Sequence, residues 1–82
     1  MHEVINEPID ILVSFGSGKV LPLFFRWRKR KYAVEKMNLV HTKKDGRETI
    51  YYFNVSNKTN YFKLSFSTKT LGWKIDELFY EG

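Results

Sequence analysis

Apolar and polar residues alternate with a period of two along most of the chain after Pro8. The apolar positions are rich in β-branched and aromatic residues, and no stretch of a dozen residues has the apolar spacing of a helix. This alternation is typical of β-strands that bury one face. We therefore predict an all-β fold, with a lead-in segment over residues 1–8 and a single β domain over residues 9–82.

Turn-forming residues divide the domain into about six antiparallel strands. The expected strands are residues 9–15, 20–28, 31–42, 47–55, 61–67 and a last one that begins at Trp73. Turns are expected at Gly16-Ser17-Gly18, near Lys29-Arg30 and at Asp45-Gly46, where the last pair favours a type I′ hairpin. The alternative for residues 75–79 is one short helical turn.

Two local features predict how the strands are arranged. Pro22 cannot donate a ladder hydrogen bond, so its end of the second strand is expected at an edge or a bulge. Between Val34 and Met37 the apolar positions change phase, which is typical of a β-bulge at a corner. Because the connections are short, we expect an antiparallel meander that forms either a strongly curved sheet or a small barrel.

The composition supports one small folded domain. The 82 residues include seven Phe, five Tyr and two Trp, enough rings to supply most of a core, and Trp27 and Trp73 are predicted to lie in it. The chain has no cysteine, and its longest apolar run is far shorter than the ~20 residues of a membrane span. Residues 1–4 do not have the basic and apolar pattern of a secretory signal, so we expect no such signal. We therefore expect a cytoplasmic protein that does not contact membranes.

Nothing in the sequence predicts an active site. His2 and His41 are the only histidines, too few for a metal site without cysteines. Asp76 and Glu77 are adjacent, and on a regular strand they point to opposite faces. Gly16-Ser17-Gly18-Lys19 lacks the further glycine and the Ser or Thr of a phosphate-binding loop. We expect no enzyme activity and no catalytic, cofactor or metal site.

Positive charge is concentrated in one segment. The net charge is +5, and residues 19–31 hold six of the 14 basic residues and none of the nine acidic ones. Five of them are the candidate polyanion contacts: Arg26, Arg28, Lys29, Arg30 and Lys31. Such a cluster attracts nucleic acid or an acidic protein, and the alternative is that it only keeps the hairpin soluble. Trp27 lies at the opposite strand parity, which predicts a core position rather than a stacking surface.

Residues 22–35, Pro-Leu-Phe-Phe-Arg-Trp-Arg-Lys-Arg-Lys-Tyr-Ala-Val-Glu, resemble the opening of a family of small bacterial all-β domains. The family pattern is a proline, then Phe-x-Trp-Arg-Gly-Arg, then an aromatic residue and Val. Residues 51–55, 61–64 and 73–75 are similar to its later strands, so the resemblance covers roughly residues 9–80. Lys29 stands where the family turn has glycine, and Tyr51-Tyr52-Phe53 replaces a tryptophan-rich middle.

Domains of this family are free-standing short proteins or the tail of catalytically inactive homologues of Y-family polymerases in bacterial mutagenic repair. The resemblance implies a bacterial all-β accessory domain with no assigned chemistry. We predict a small binding module that contacts nucleic acid or a nucleic-acid-handling protein through a basic hairpin. The alternative is a protein-interaction or structural domain that does not bind nucleic acid. The sequence leaves the oligomeric state and the biological process open.

Overall fold

The computed structural model describes residues 1–80, without the side chain of Val20. These residues form seven strands and no helix. The strands are β1 (His2–Gly16), β2 (Lys19–Trp27), β3 (Arg30–Ala33), β4 (Lys36–Asp45), β5 (Glu48–Ser56), β6 (Asn60–Ser67) and β7 (Trp73–Tyr80). The all-β prediction is confirmed, and residues 75–79 belong to β7 rather than to a helical turn. Within residues 1–80, accordingly, no helix is long and apolar enough to cross a membrane.

All seven strands belong to one antiparallel sheet in the order β3-β2-β1-β7-β6-β5-β4. The chain makes two meanders, β1–β3 and β4–β7, which are joined because β1 also pairs with β7. In the described part of the chain, β3 and β4 are the two edges. The sheet is neither closed nor strongly curled, so the predicted small barrel or strongly curved sheet is not formed.

β1 is long because it pairs with strands of both meanders. Its first part, between residues 2 and 9, pairs with β7, and its second part, between residues 10 and 16, pairs with β2. The residues expected as a lead-in, 1–8, therefore include strand residues from His2 onwards. Their partners lie more than 65 residues away in the chain, so local sequence could not reveal the pairing. The predicted domain also includes residues 81 and 82, which lie outside the described residues.

The predicted strand 31–42 is two strands, which raises the count from six to seven. The backbone N–H of Val34 still donates to the carbonyl of Leu23 in β2, at 3.0 Å. The next N–H, of Glu35, donates to the carbonyl of Ser56 in β5, at 2.9 Å. The phase change that predicted a bulge is therefore the point where the chain leaves the first meander and enters the second.

The two predicted glycine turns form, with one difference in geometry. Ser17 and Gly18 connect β1 to β2, and both have positive φ, 51° and 73°. In the turn between β4 and β5 only Gly46 has a positive φ, 63°. A type I′ turn needs two such residues, so the predicted type is wrong at this position.

Eight buried apolar side chains form the core, and they come from both meanders. They are Phe25, Trp27, Phe53, Val55, Phe62, Leu64, Trp73 and Ile75. The ring of Phe25 meets that of Phe62 edge to face, with centroids 5.0 Å apart. Trp27 and Trp73 are each 7% exposed, which confirms their predicted core positions. We call the side of the sheet that bears these residues the inner face and the opposite side the outer face.

Candidate functional site

The hairpin of β2 and β3 carries the five predicted contacts, and we call residues 26–31 the basic hairpin. Trp27 pairs with Arg30, so the turn consists of Arg28 and Lys29, one residue earlier than predicted. Both turn residues have positive φ, 51° and 66°. Two consecutive left-handed residues are the geometry of a type I′ turn, which Asn and Gly adopt more easily than Arg and Lys.

Strand alternation distributes the cations around the hairpin. Arg26 pairs with Lys31, and these neighbouring side chains share the outer face. Arg30 is opposite Trp27 at the end of the inner face, yet it remains exposed while Trp27 is buried. All five predicted contacts are exposed and lie at one end of the sheet, so the structure brings together the set that the sequence predicts.

Glu7 of β1 binds one of the five cations. Its carboxylate accepts hydrogen bonds from Arg28 Nη2 at 2.6 Å, from Arg28 Nε at 3.2 Å and from the indole N–H of Trp27 at 2.9 Å. The Arg28 guanidinium also lies over the Trp27 ring, 4.4 Å from its centroid. The Arg28 hydrogen bonds, and after them the Trp27 bond, lower the pKa of Glu7. Arg28 is therefore engaged within the fold.

The other four cations have no carboxylate partner among residues 1–80. Within residues 1–80, none of Arg26, Lys29, Arg30 and Lys31 forms a salt bridge. Asp10 of β1 is the register partner of Arg26, and these two also form no salt bridge. Four exposed positive charges within six residues thus create a positive field at this end of the sheet.

The outer face beside the basic hairpin is partly apolar. Phe24 is half-buried, and its register partners are Leu12 on β1 and Ala33 on β3. The ammonium of Lys31 lies over the Phe24 ring, 4.0 Å from its centroid. Sequence reasoning did not single out Phe24 as a contact. The signal was present, because strand parity places Phe24 on the same face as Arg26.

A bulge beside Pro22 extends this apolar area. Leu12 pairs with Phe24 but Val13 pairs with Pro22, so Leu23 is an extra residue in β2, as expected next to a proline. Leu23 is exposed at this bulge, and Leu12 and Leu21 are exposed as well. Exposed leucines beside cations are suited to contact a partner that has both apolar and acidic groups.

A second polar region lies on the outer face of β6 and β7, and it corrects one prediction. Leu64 pairs with Ile75 and Lys63 with Glu77, so Asp76 is an extra residue between them. This bulge turns Asp76 and Glu77 to the same face, whereas a regular strand alternates them. The prediction that they point to opposite faces was therefore wrong.

Both carboxylates in this region already have protein partners. Asp76 accepts a hydrogen bond at 3.0 Å from the hydroxyl of Ser65, which is buried, and lies 3.6 Å from Lys74 Nζ. Glu77 contacts His2 Nε2 at 2.8 Å and Lys63 Nζ at 3.4 Å, and the His2 hydrogen bond is the largest cause of its lowered pKa. In the described part of the chain, no three His, Cys, Asp or Glu residues are grouped so as to hold a metal ion.

Comparison with known proteins adds no relative. No protein-family model, curated protein or solved structure matches this chain. Its function therefore has to be inferred from its own residues, among which the basic hairpin groups four exposed positive charges that have no salt-bridge partner in residues 1–80.

Proposed function

We propose that this domain is a non-enzymatic binding module that contacts nucleic acid through the basic hairpin. The observation that carries the proposal is the group of four exposed cations without a salt-bridge partner in residues 1–80: Arg26, Lys29, Arg30 and Lys31. Like charges at this spacing repel one another and raise the free energy of the folded state. A phosphate backbone supplies the opposite charge and releases its own counterions on binding.

The number of cations without protein partners sets the expected salt dependence. Arg28 is held by Glu7, so we count the other four as available for phosphates. Each phosphate neutralised on a single strand contributes about −0.7 to the slope of log affinity against log salt, which gives a slope of about −2.8. Raising the salt concentration from about 50 to about 200 mM should then weaken binding roughly 50-fold.

One observation favours a second candidate function, a protein-interaction domain. Leu12, Leu21 and Leu23 are exposed on the first meander, and an apolar surface with a charged rim is typical of protein interfaces. The edge strand β4 also offers unpaired backbone groups to a partner strand. The salt dependence of the affinity distinguishes the two candidates. Binding to nucleic acid weakens steeply with salt, whereas an apolar protein interface loses little affinity between low and moderate salt.

The family resemblance supports the first candidate. Some of the domains that it concerns form the tail of catalytically inactive homologues of Y-family polymerases in bacterial mutagenic repair, and others are free-standing short proteins with no assigned chemistry. Their turn glycine falls at Lys29, whose φ of 66° is a conformation that glycine adopts freely. On this proposal the domain is a bacterial, cytoplasmic accessory module that acts on nucleic acid directly or beside a nucleic-acid-handling protein.

The proposal is tested by fluorescence anisotropy with labelled single strands and duplexes of about 12 nucleotides. This length is within the range that single-strand-binding domains are known to cover. The informative variant is Lys29→Glu with Arg30→Glu, which should weaken binding at low salt by at least about 10-fold. Arg28 is left unchanged, because a glutamate there would face Glu7 and destabilise the fold.

The matched control is Lys43→Glu with Lys44→Glu. This pair changes the net charge by the same amount, but it lies on the edge strand β4, away from the hairpin. The control should lose much less affinity than the hairpin variant. Absence of binding at low salt, or equal losses in the two variants, would contradict the proposal and favour the protein-interaction function.

A further inference from the structure

The outer face of the first meander places an aromatic ring next to two cations. Phe24 is half-buried, and Arg26 and Lys31 pair with each other two positions closer to the turn on the same face. Together with Asp10, Ile11 and Leu12 they line a shallow depression. Ala33, the β3 neighbour of Phe24, is exposed, and its side chain is only a methyl group, so it covers little of the Phe24 ring.

We propose that this depression binds one base of a single-stranded nucleic acid, stacked on Phe24, with the adjoining phosphates held by Arg26 and Lys31. The proposal rests on the proposed function and names its substrate class. Aromatic side chains stack on any base, since every base has a π face. The Lys31 ammonium, 4.0 Å from the ring centroid, occupies that ring face in the free protein. A phosphate draws the ammonium aside and leaves the ring face to the base.

The geometry also indicates which aromatic side chain can stack on a base. Trp27 lies within the basic segment, but it is 7% exposed and its indole N–H is bonded to Glu7. It cannot stack on a base without leaving the core. Phe24 is the ring that lies next to Arg26 and Lys31 on the outer face.

The same geometry favours a single strand over a duplex. Bases within a duplex stack on each other, so a ring on a sheet face can reach a base only where the strand is unpaired. Cations on the strands beside that ring then follow the backbone of the unpaired strand.

The test compares two single strands with the same number of phosphates, an oligothymidylate and an abasic oligomer of equal length. Because their charge is equal, the ratio of their affinities isolates the contribution of the bases. The wild-type protein should prefer the oligothymidylate by about 10-fold, the scale of one stacked base. Phe24→Leu should reduce that preference to less than about 2-fold and leave the affinity for the abasic strand unchanged.

Two further variants keep the result interpretable. Phe24→Tyr retains the ring and should retain the preference. Phe15→Leu makes the same change at a phenylalanine that is 67% exposed near the end of β1, and it should alter neither affinity. Far-UV circular dichroism of each variant checks that the sheet is formed.

The failures of this inference and of the proposed function are distinguishable. Absence of binding to both strands overturns the proposed function itself. Equal binding of both strands by the wild-type protein overturns the stacking inference and leaves the hairpin proposal standing. Duplex binding as tight as single-strand binding also overturns the inference. If Phe24→Leu weakens the binding of an oligoglutamate peptide as much as that of oligothymidylate, the partner is an acidic protein segment instead.

Discussion

Replacing Trp27 with alanine is the most direct test of the fold as described. Trp27 is 7% exposed, and its ring contacts those of Tyr32 and Phe62, with centroids 6.1 and 6.5 Å away. It thereby links the first meander to β6 of the second. Its indole N–H also bonds to Glu7, at 2.9 Å. Trp27→Ala removes all of these contacts and leaves a cavity between the meanders.

The expected loss follows from the area that Trp27 buries. A buried tryptophan removes roughly 200 Å² from water, which at about 25 cal/mol per Å² corresponds to roughly 5 kcal/mol. The remaining methyl group and a partly compact unfolded state reduce that figure, so we expect a loss of about 3–5 kcal/mol. A domain of this length has a total stability of roughly 4–12 kcal/mol. The variant should therefore lose between about a quarter and all of the stability of the domain.

Urea denaturation followed by far-UV circular dichroism measures this loss without relying on the fluorescence of the removed residue. The matched control is Phe15→Ala, an aromatic truncation at a position that is 67% exposed, which should cost less than about 1 kcal/mol. If the free energy of unfolding of Trp27→Ala is within about 1 kcal/mol of the wild-type value, Trp27 is not part of the core. It would then be available as a stacking surface, and the inference about Phe24 would lose its basis.

Two further predictions concern the basic hairpin and its acidic partner. Lys29→Gly should raise the free energy of unfolding by about 0.5–1 kcal/mol in urea denaturation, because glycine removes the strain of a φ of 66°; a loss of stability would contradict the turn geometry. The Glu7 carboxylate has a pKa below its usual 4.5, so its stabilisation is complete above pH 4.5 and is lost as the pH falls through the lower folded value. The stability difference between wild type and Glu7→Gln should therefore shrink between about pH 7 and pH 3, and a constant difference would contradict the Glu7–Arg28 pairing.

The sequence predicts the strands well because the signals for them are local. Alternation with a period of two needs only neighbouring residues, and glycine marks the turns at Gly18 and Gly46 through its backbone freedom. The burial of Trp27 and Trp73 follows from the same alternation. Each of these predictions depends on fewer than ten consecutive residues.

The pairing of distant strands is the part that local patterns could not supply. The partner of the N-terminal segment is β7, at the other end of the chain, and this pairing makes residues 2–8 a strand. The passage from one meander to the other at Val34 and Glu35 looks like a bulge until both hydrogen-bond partners are known. The bulge at Asp76 is visible only in the register of β7 against β6.

The same division applies to the candidate site. The sequence alone locates the five cations, because six of the thirteen residues from 19 to 31 are basic. The sequence does not show that Arg28 forms a salt bridge within the fold, since its partner Glu7 lies 21 residues earlier. Nor does it show that Lys31 lies over Phe24, which depends on the register of β2 against β3.

The basic hairpin is costly to the fold through backbone strain and through charge repulsion, and within residues 1–80 only the part that falls on Arg28 is offset by a salt bridge. Arg28 and Lys29 both adopt positive φ, which disfavours side chains that have a Cβ. For Arg28 the salt bridge to Glu7 and the contact with the Trp27 ring are compensating interactions. Lys29 has no salt bridge there, and its charge adds to those of Arg26, Arg30 and Lys31. An Asn-Gly turn would form the same hairpin without the backbone strain and with less charge repulsion. Backbone strain that the fold itself does not require is typical of functional positions, and on the proposed function a phosphate backbone would relieve the repulsion.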